Sequence, residues 1–399
     1  MLFRSYPLGF VVHYFKEGGD PHLCIPVLLA EHGVHKPHAK KIQNEAKKEF
    51  PPKWRIPETE RSKRTNFENV FSIDPSSCVE VDDAMSVCWN QDGTFKIGVH
   101  IADVSFFVTK DSTLDKAALS HGSSVYGSNE VSYHNSMLPS YVSKQLCSLV
   151  PGEERLAISV IFHLNEEGVE VVQPEIQRSI VTSCCKLSYD QCQDVLDGRK
   201  VDNIPEHVQK GAGILGQLSF KMWARRVRQG YAPLEHVVIK TGMLSSQKIV
   251  EEFMLWTNRA VAELLLQSPL AKTLVPLRRQ LAPKTHLLRE INDFCIENGM
   301  EPRQYLGLQC ISEISDDEAH QRSEDCVTIG LKTWETVSAA LDEKDIGKVT
   351  MAILKHDSKA GVGKILSRLA SIQEQSGYVV SSRLPPEQQR HFEIGRAHV

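Results

Sequence analysis

Residues 72–84 read SIDPSSCVEVDDA and gather four carboxylates within ten positions: Asp74, Glu80, Asp82 and Asp83. The stretch lies between two strand-like runs, which places the acidic side chains at a junction between strands. Carboxylates this close repel one another unless a cation neutralises them, and hard oxygen ligands suit Mg²⁺ or Mn²⁺. The stretch therefore predicts a site for a pair of divalent ions, a common device for hydrolysing phosphodiester bonds. The alternative is an acidic surface turn.

The sequence outward from this stretch predicts strands first and helices afterwards. Strands are expected at residues 70–73, 85–89, 94–99, 156–164 and 169–183, with residues 90–93 and 165–168 as hairpin turns. Helices are expected at residues 208–228, 249–266, 286–298 and 331–344. This order indicates an α+β fold with a mainly antiparallel β-sheet core surrounded by helices.

The residues before the acidic stretch have a different character. Residues 9–14 and 23–29 predict two strands, and residues 31–66 predict a charged, proline-containing linker with one short helix near 39–48. A hairpin that begins so close to residue 1 is typical of the end of a domain rather than of a whole one.

The composition excludes several classes of protein. The chain has 399 residues, a net charge of −4, 41% hydrophobic and 24% charged residues, and no apolar run near the roughly 20 residues needed to span a bilayer. The ten cysteines are scattered without a C-x-x-C pair, which argues against structural zinc. We expect reduced thiols, a cytoplasmic or alternatively nuclear protein, and no membrane partner.

The motifs that follow the acidic stretch form a colinear series. They are GVHIADVSFFV at 98–108, SSVY at 123–126, MLP at 137–139, LCSL at 146–149, KLSY at 186–189, VEEFML at 250–255 and LRRQLAP at 277–283. The series resembles the catalytic RNB domain of the RNase II/RNase R family, especially its eukaryotic exosome-type exoribonuclease branch.

The resemblance implies hydrolysis of single-stranded RNA from the 3′ end to nucleoside 5′-monophosphates, with two Mg²⁺ or Mn²⁺ ions. Asp74, Asp82 and Asp83 match three of the family's four acidic positions, and Glu80 stands at the fourth, where aspartate is usual. Glutamate keeps the charge but is one methylene longer, and the geometry at Mg²⁺ is strict. Tyr126 matches a tyrosine that stacks near the terminal nucleotides in this family; the alternative is a core tyrosine.

Further residues have open interpretations. Arg225, Arg226 and Arg228 either line the RNA path or belong to a solvated helix face. His100 and Asp103 resemble a catalytic dyad, but the family uses this motif as scaffold, so we interpret them as structural.

The resemblance also suggests a domain organisation. We expect a C-terminal remnant of a cold-shock-type OB domain at 1–30, the linker at 31–66, an RNB ribonuclease domain at 67–392 and a non-native tail at 393–399. The family's late arginine-rich segment and S1 domain are missing from the sequence, which suggests a gene model truncated at both ends. The alternative function is a catalytically weakened RNA-binding or regulatory RNB module of a larger helicase protein, of the helicase-with-zinc-finger type. The expected partners are single-stranded RNA and either an RNA-decay complex or a helicase domain in the same chain.

Overall fold

The computed structural model describes residues 24–32, 38, 40–126, 134–228, 244–269, 275–279 and 377–380. The chain divides into two compact units. The first unit combines residues 1–55 with 104–147, and the second combines residues 56–103 with 148–399.

The elements are numbered in chain order. The described strands are β1 (Thr65–Asp74), β2 (Asp83–Trp89), β3 (Phe95–Ala102), β4 (Val125–Tyr126), β5 (His134–Asn135), β6 (Glu154–Leu164), β7 (Glu175–Ser188), β8 (Pro276–Arg279) and β9 (Gly377–Val380). The described α-helices are α1 (Cys24–Glu31), α2 (Lys40–Glu49), α3 (Glu58–Arg61), α4 (Val104–Phe107), α5 (Thr113–His121), α6 (Tyr189–Leu196), α7 (Glu206–Arg228) and α8 (Ser246–Gln267). A π-helix covers Tyr141–Cys147.

The second unit is built on a closed barrel of five strands in the order β1-β2-β3-β6-β7. The neighbours along this order pair antiparallel. The barrel closes through a parallel pairing of β7 with β1, which sets Thr65 opposite Ser179 and Asp74 opposite Ser188. The mainly antiparallel β core with helices around it is confirmed, whereas the parallel closure was not part of the prediction.

The two faces of the barrel strands have different neighbours. Large apolar residues such as Phe71, Met85 and Val99 pack with the apolar residues of α6, α7 and α8 in one core. The alternate residues include small polar ones, such as Ser72 and Ser159, which are completely buried because they face the inside of the closed barrel. The period of two along each strand therefore separates a helix-covered outer face from a narrow inner one.

The first unit has an aromatic core. Phe50 and Trp54 pack edge to face against Phe107, with ring centroids 5.1 and 5.3 Å apart. The hydroxyl of Tyr141 donates to the main-chain oxygen of Phe50 at 2.6 Å. The short strands β4 and β5 also belong to this unit and pair antiparallel.

One predicted element is wrong. Residues 23–29 do not form a strand, because α1 covers Cys24–Glu31. Leucine and alanine follow the proline at position 26, which lies in the first turn of the helix, where its missing N–H breaks no helical bond. The remnant of an OB barrel is not confirmed, and residues 9–14 lie outside the described residues.

The other predicted elements agree with the structure where it describes them. The linker helix is α2, the barrel strands lie where strands were expected, and α7 and α8 cover the two predicted helices at 208–228 and 249–266. The last strand begins at Glu175 rather than at residue 169. The helices predicted at 286–298 and 331–344 lie outside the described residues.

Six cysteines whose side chains the structure describes are free thiols: Cys78, Cys88, Cys147, Cys184, Cys185 and Cys192. None of the helices in the described ranges combines the length and the apolar character that crossing a membrane requires.

Candidate active site

The four predicted carboxylates lie around one end of the barrel. Asp74 is the last residue of β1 and Asp83 is the first residue of β2. Residues 75–82, here called the acidic loop, connect these two strands and carry Glu80 and Asp82. The antiparallel pairing of β1 with β2 brings the two strand-borne carboxylates to the same end of the barrel.

Asp74 is buried and hydrogen-bonded. Its Oδ2 accepts from the hydroxyl of Ser72 at 2.6 Å, and its Oδ1 accepts from the thiol of Cys78 at 3.6 Å. The same thiol contacts the main-chain oxygen of Glu80 at 3.0 Å. These bonds fix the orientation of the Asp74 carboxylate on the barrel.

The electrostatics show that the carboxylates act on one another. Burial, followed by the charges of Asp74 and Asp82, raises the pKa of Asp83 to about 7. Burial, followed by the charges of Glu80 and Asp74, also raises the pKa of Asp82. The four predicted residues therefore form one electrostatically coupled acidic cluster. A nearby cation would offset both the cost of burying the charged carboxylates and their mutual repulsion.

The donor set fits a hard divalent cation, because it consists of carboxylate oxygens. Among the described residues, no three His, Cys, Asp or Glu side chains are arranged to hold a metal ion. The cluster therefore supplies the ligand types that a metal site uses, although its side chains do not converge on one point.

Two neighbours of the cluster were missed by the sequence reasoning. The charges of Asp74 and Asp83, after burial, raise the pKa of Tyr189, which places this tyrosine beside the cluster. Lys186 donates from Nζ to the main-chain oxygen of Cys78 in the acidic loop. Both residues belong to the KLSY motif, and the parallel pairing of β7 with β1 brings this motif to the acidic end of the barrel.

Tyr126 lies in the first unit, on β4, and is 66% exposed. Its ring stacks on that of His134 in β5, with centroids 4.7 Å apart and an interplanar angle of 11°. An exposed, supported ring is a suitable platform for a base and is not a core tyrosine. Contact of Tyr126 with RNA remains a prediction.

The structure gives protein partners to two of the three predicted arginines. Arg225 donates to the main-chain oxygen of Gly168 at 2.7 Å, and its guanidinium lies 5.1 Å from the ring centroid of Trp256. Arg226 forms a two-pronged ion pair with Glu252, which is 2% exposed. The side chain of Arg228 lies outside the described residues, and RNA contact by any of the three remains a prediction.

A cavity of about 380 Å³ adjoins these arginines. Its lining includes Arg225, Trp256 and Glu170, together with the Arg226–Glu252 pair. The lining carries charges of both signs.

His100 and Asp103 do not form a dyad. The imidazole of His100 lies inside the barrel between the hydroxyls of Ser159 and Ser86, at 2.6 and 2.9 Å. Asp103 instead pairs with Arg64 at 2.7 Å, and both residues are buried. The structural interpretation of the two residues is consistent with these contacts.

Comparison with known proteins identifies the family of this chain. Residues 63–392 match the RNB domain family. The chain is 34% identical over 325 residues to an Arabidopsis thaliana protein named "Inactive exonuclease DIS3L2", covering 74% of this chain and 30% of that protein. It is 31% identical over 321 residues to the "DIS3-like exonuclease 2" of Schizosaccharomyces pombe, covering 74% of this chain and 33% of that protein.

The fold also matches a solved structure. Mycoplasma genitalium RNase R, in complex with ribose methylated single-stranded RNA, superposes with a TM-score of 0.68 at 19% identity, covering 91% of this chain and 52% of that one.

The fold and its acidic end thus define a ribonuclease-type RNB fold. The chain belongs to the RNB family of exosome-type exoribonucleases. It spans about a third of the length of the curated relatives named above.

Proposed function

We propose that this chain is the catalytic part of a metal-dependent exoribonuclease that hydrolyses single-stranded RNA from the 3′ end to nucleoside 5′-monophosphates. The observation that carries the proposal is the coupled acidic cluster at the end of the barrel, where Asp83 has a pKa of about 7. Buried like charges of this kind raise the free energy of the folded protein, and they are maintained where a function requires them.

The residues that would hold Mg²⁺ or Mn²⁺, as one ion or a pair, are Asp74, Glu80, Asp82 and Asp83. Bound there, the metal supplies Lewis acidity for activating water and stabilising negative charge at phosphorus. Asp74 is oriented for this role by Ser72.

RNA is the proposed substrate because the chain belongs to a ribonuclease family and Tyr126 offers an exposed ring for stacking. We also propose a cytoplasmic or nuclear location. The proposed associations are with an RNA-decay complex or with a helicase domain of the same protein.

A second function is supported by two observations: Glu80 replaces the usual aspartate, and a relative is named an inactive exonuclease. In this alternative the chain binds RNA without cleaving it. The barrel and the aromatic platform would be retained, and the acidic cluster would no longer be held to catalytic geometry.

The test is Asp82→Asn. The main-chain oxygen of Asp82 accepts from the N–H of Ala102 at 2.9 Å, and this bond survives the substitution, so the variant should fold. Its neutral amide removes one charge that would balance a metal. We expect Asp82→Asn to lose hydrolysis of 5′-labelled single-stranded RNA in Mg²⁺ or Mn²⁺ while RNA binding is unchanged.

The matched control is Asp202→Asn, which removes the same charge from an exposed position outside the cluster. Product release by Asp82→Asn at the rate of the unsubstituted chain would reject the site. Tight RNA binding without cleavage by the unsubstituted chain would favour the non-catalytic alternative.

A further inference from the structure

The acidic loop is held firmly in its second half. The N–H of Val81 donates to the hydroxyl of Ser148, and the oxygen of Val81 accepts from the N–H of Leu149, both at 2.9 Å. The next residue, Asp82, accepts from Ala102. Three carboxylates thus have main-chain supports on the barrel, because Asp74 and Asp83 belong to its strands.

The first half of the loop, which leads to Glu80, is supported differently. The N–H of Cys78 donates to the oxygen of Pro75 at 2.9 Å, and the thiol of Cys78 contacts the oxygen of Glu80 at 3.0 Å. Both contacts lie within the loop. The thiol of Cys78 also donates to Oδ1 of Asp74 in β1 at 3.6 Å, and a second attachment to the barrel comes from β7, where Nζ of Lys186 donates to the main-chain oxygen of Cys78.

The reach of Lys186 follows from the topology. The parallel pairing of β7 with β1 sets Lys186 opposite Ser72, two residues before Asp74. The side chain is partly buried and extends from the C-terminal end of β7 to the acidic loop.

We propose that Lys186 is a positioning residue: it fixes the backbone of the Glu80 half of the acidic loop in the position that binding of a divalent cation requires. Glutamate at position 80 reaches one methylene further than aspartate, so its carboxylate depends on where the loop backbone is fixed. Residues that orient metal ligands typically change metal affinity by about 10–100-fold when they are replaced. The inference rests on the proposed function, since it requires the acidic cluster to bind metal.

The experiment measures Mn²⁺ affinity by electron paramagnetic resonance, without RNA and without turnover, together with the midpoint of thermal unfolding. We expect Lys186→Met to weaken Mn²⁺ binding by about tenfold, and Lys186→Arg, which keeps a charged donor, to stay within about threefold of the unsubstituted chain. Lys200→Met, at an exposed lysine outside the cluster, is the matched control for loss of one positive charge. Equal Mn²⁺ affinity in Lys186→Met and the unsubstituted chain would overturn the proposal.

A double-mutant cycle tests whether Lys186 acts through Glu80. If it does, Lys186→Met causes no further loss of Mn²⁺ affinity in a Glu80→Gln background. A second tenfold loss there would show that the lysine acts on the fold in general and would contradict the inference. If Lys186→Met does not fold, Lys186→Gln replaces it in both steps with the same expectations.

Failure of the proposed function can be distinguished from failure of the role of Lys186. If the proposed function is wrong, the unsubstituted chain and Asp82→Asn bind Mn²⁺ equally or not at all, and the inference fails as well. If the unsubstituted chain binds Mn²⁺ and the lysine variants do not differ from it, the role of Lys186 alone is wrong.

Discussion

Asp82 and Asp83 are adjacent in sequence and identical in chemistry, yet they occupy different environments. Asp82 is the more exposed of the two residues and is held through its main chain, whereas Asp83 begins a barrel strand and is more deeply buried. Burial is the first cause of the raised pKa of both groups, and neighbouring carboxylates add to it. The ionised form of each carboxyl is therefore less favourable in the folded chain than in water.

The raised pKa of Asp83 predicts a pH-dependent stability in the absence of metal. Its pKa is about 7 in the folded chain against a reference value of 3.8. Because the folded state binds the proton more tightly, the contribution of this group to stability is complete below about pH 3.8 and is lost as the pH rises through about 7.

We therefore expect Asp83→Asn to raise the unfolding free energy of the metal-free chain above that of the unsubstituted chain at pH 8. This gain should be larger at pH 8 than at pH 4, by roughly 4 kcal/mol at most. The measurement is urea unfolding of both proteins in chelator across this pH range. A difference in unfolding free energy that does not change with pH would contradict the assignment of the shift to Asp83.

The barrel is the element that positions the site, and its interior is closely packed around Gly98. A Cβ on Gly98 would lie 2.5 Å from the hydroxyl oxygen of Ser86 and 2.7 Å from Nε2 of His100. His100 is completely buried, and burial lowers its pKa to about 3, so the imidazole is neutral inside the barrel. Polar residues here are satisfied by one another, which makes the interior specific and intolerant of added atoms.

We expect Gly98→Ala to destabilise the chain by roughly 1–3 kcal/mol because the buried ring must move. The control is Gly213→Ala in α7, where a Cβ would have no neighbour within 4 Å and would favour the helix by about 0.5–1 kcal/mol. Thermal unfolding of the two variants should shift in opposite directions. A neutral Gly98→Ala would show that the interior can relax.

The two long helices are joined by a buried ion pair that bears on the predicted role of Arg226. Glu252 is almost inaccessible to water, and burial raises its pKa although Arg226 opposes the shift. Arg226→Met would leave this carboxylate unpaired, and we expect a loss of about 3–5 kcal/mol at neutral pH. Adding Glu252→Leu should restore most of the stability, because it removes the buried charge.

The matched control is Arg259→Met, whose partner Glu263 is 56% exposed at its side chain, and the expected loss is below about 1 kcal/mol. Urea unfolding measures all four proteins. If Arg226→Met keeps its stability and loses RNA affinity instead, the arginine serves RNA binding and not the helix pair.

At the scale of the whole molecule, the net charge of −4 gives little indication of the acidic cluster, because opposite charges elsewhere nearly cancel it. What couples the cluster to the stability of the chain is its burial on the barrel. A ligand that binds the folded state alone stabilises it in proportion to the logarithm of its concentration.

We expect Mn²⁺ or Mg²⁺ to raise the midpoint of thermal unfolding, by an amount that corresponds to about 2.7 kcal/mol when the ion is present at a hundred times its Kd. Chelation should reverse the effect. The shift should be absent in Asp82→Asn and unchanged in Asp202→Asn, with NaCl at equal ionic strength as the salt control. An equal shift in Asp82→Asn would place metal binding elsewhere.

The sequence by itself determined the α+β class, the RNB family, the positions of the barrel strands and the four carboxylates. These features are encoded locally: strands by alternation, helices by their apolar period, and the site by acids only a few residues apart. The prediction of a strand at 23–29 was wrong because a short apolar run suits either a helix or a strand, and packing decides between them.

Only the tertiary structure decided the parallel closure of the barrel and, with it, the placement of Lys186 and Tyr189 beside the acidic cluster. Their partners lie more than a hundred positions away in sequence, and no local period records a pairing at that separation. It also decided which arginines have protein partners, since burial of Glu252 against Arg226 arises where two helices meet. The sequence specifies the chemical groups, and the long-range contacts of the fold specify which of them face one another.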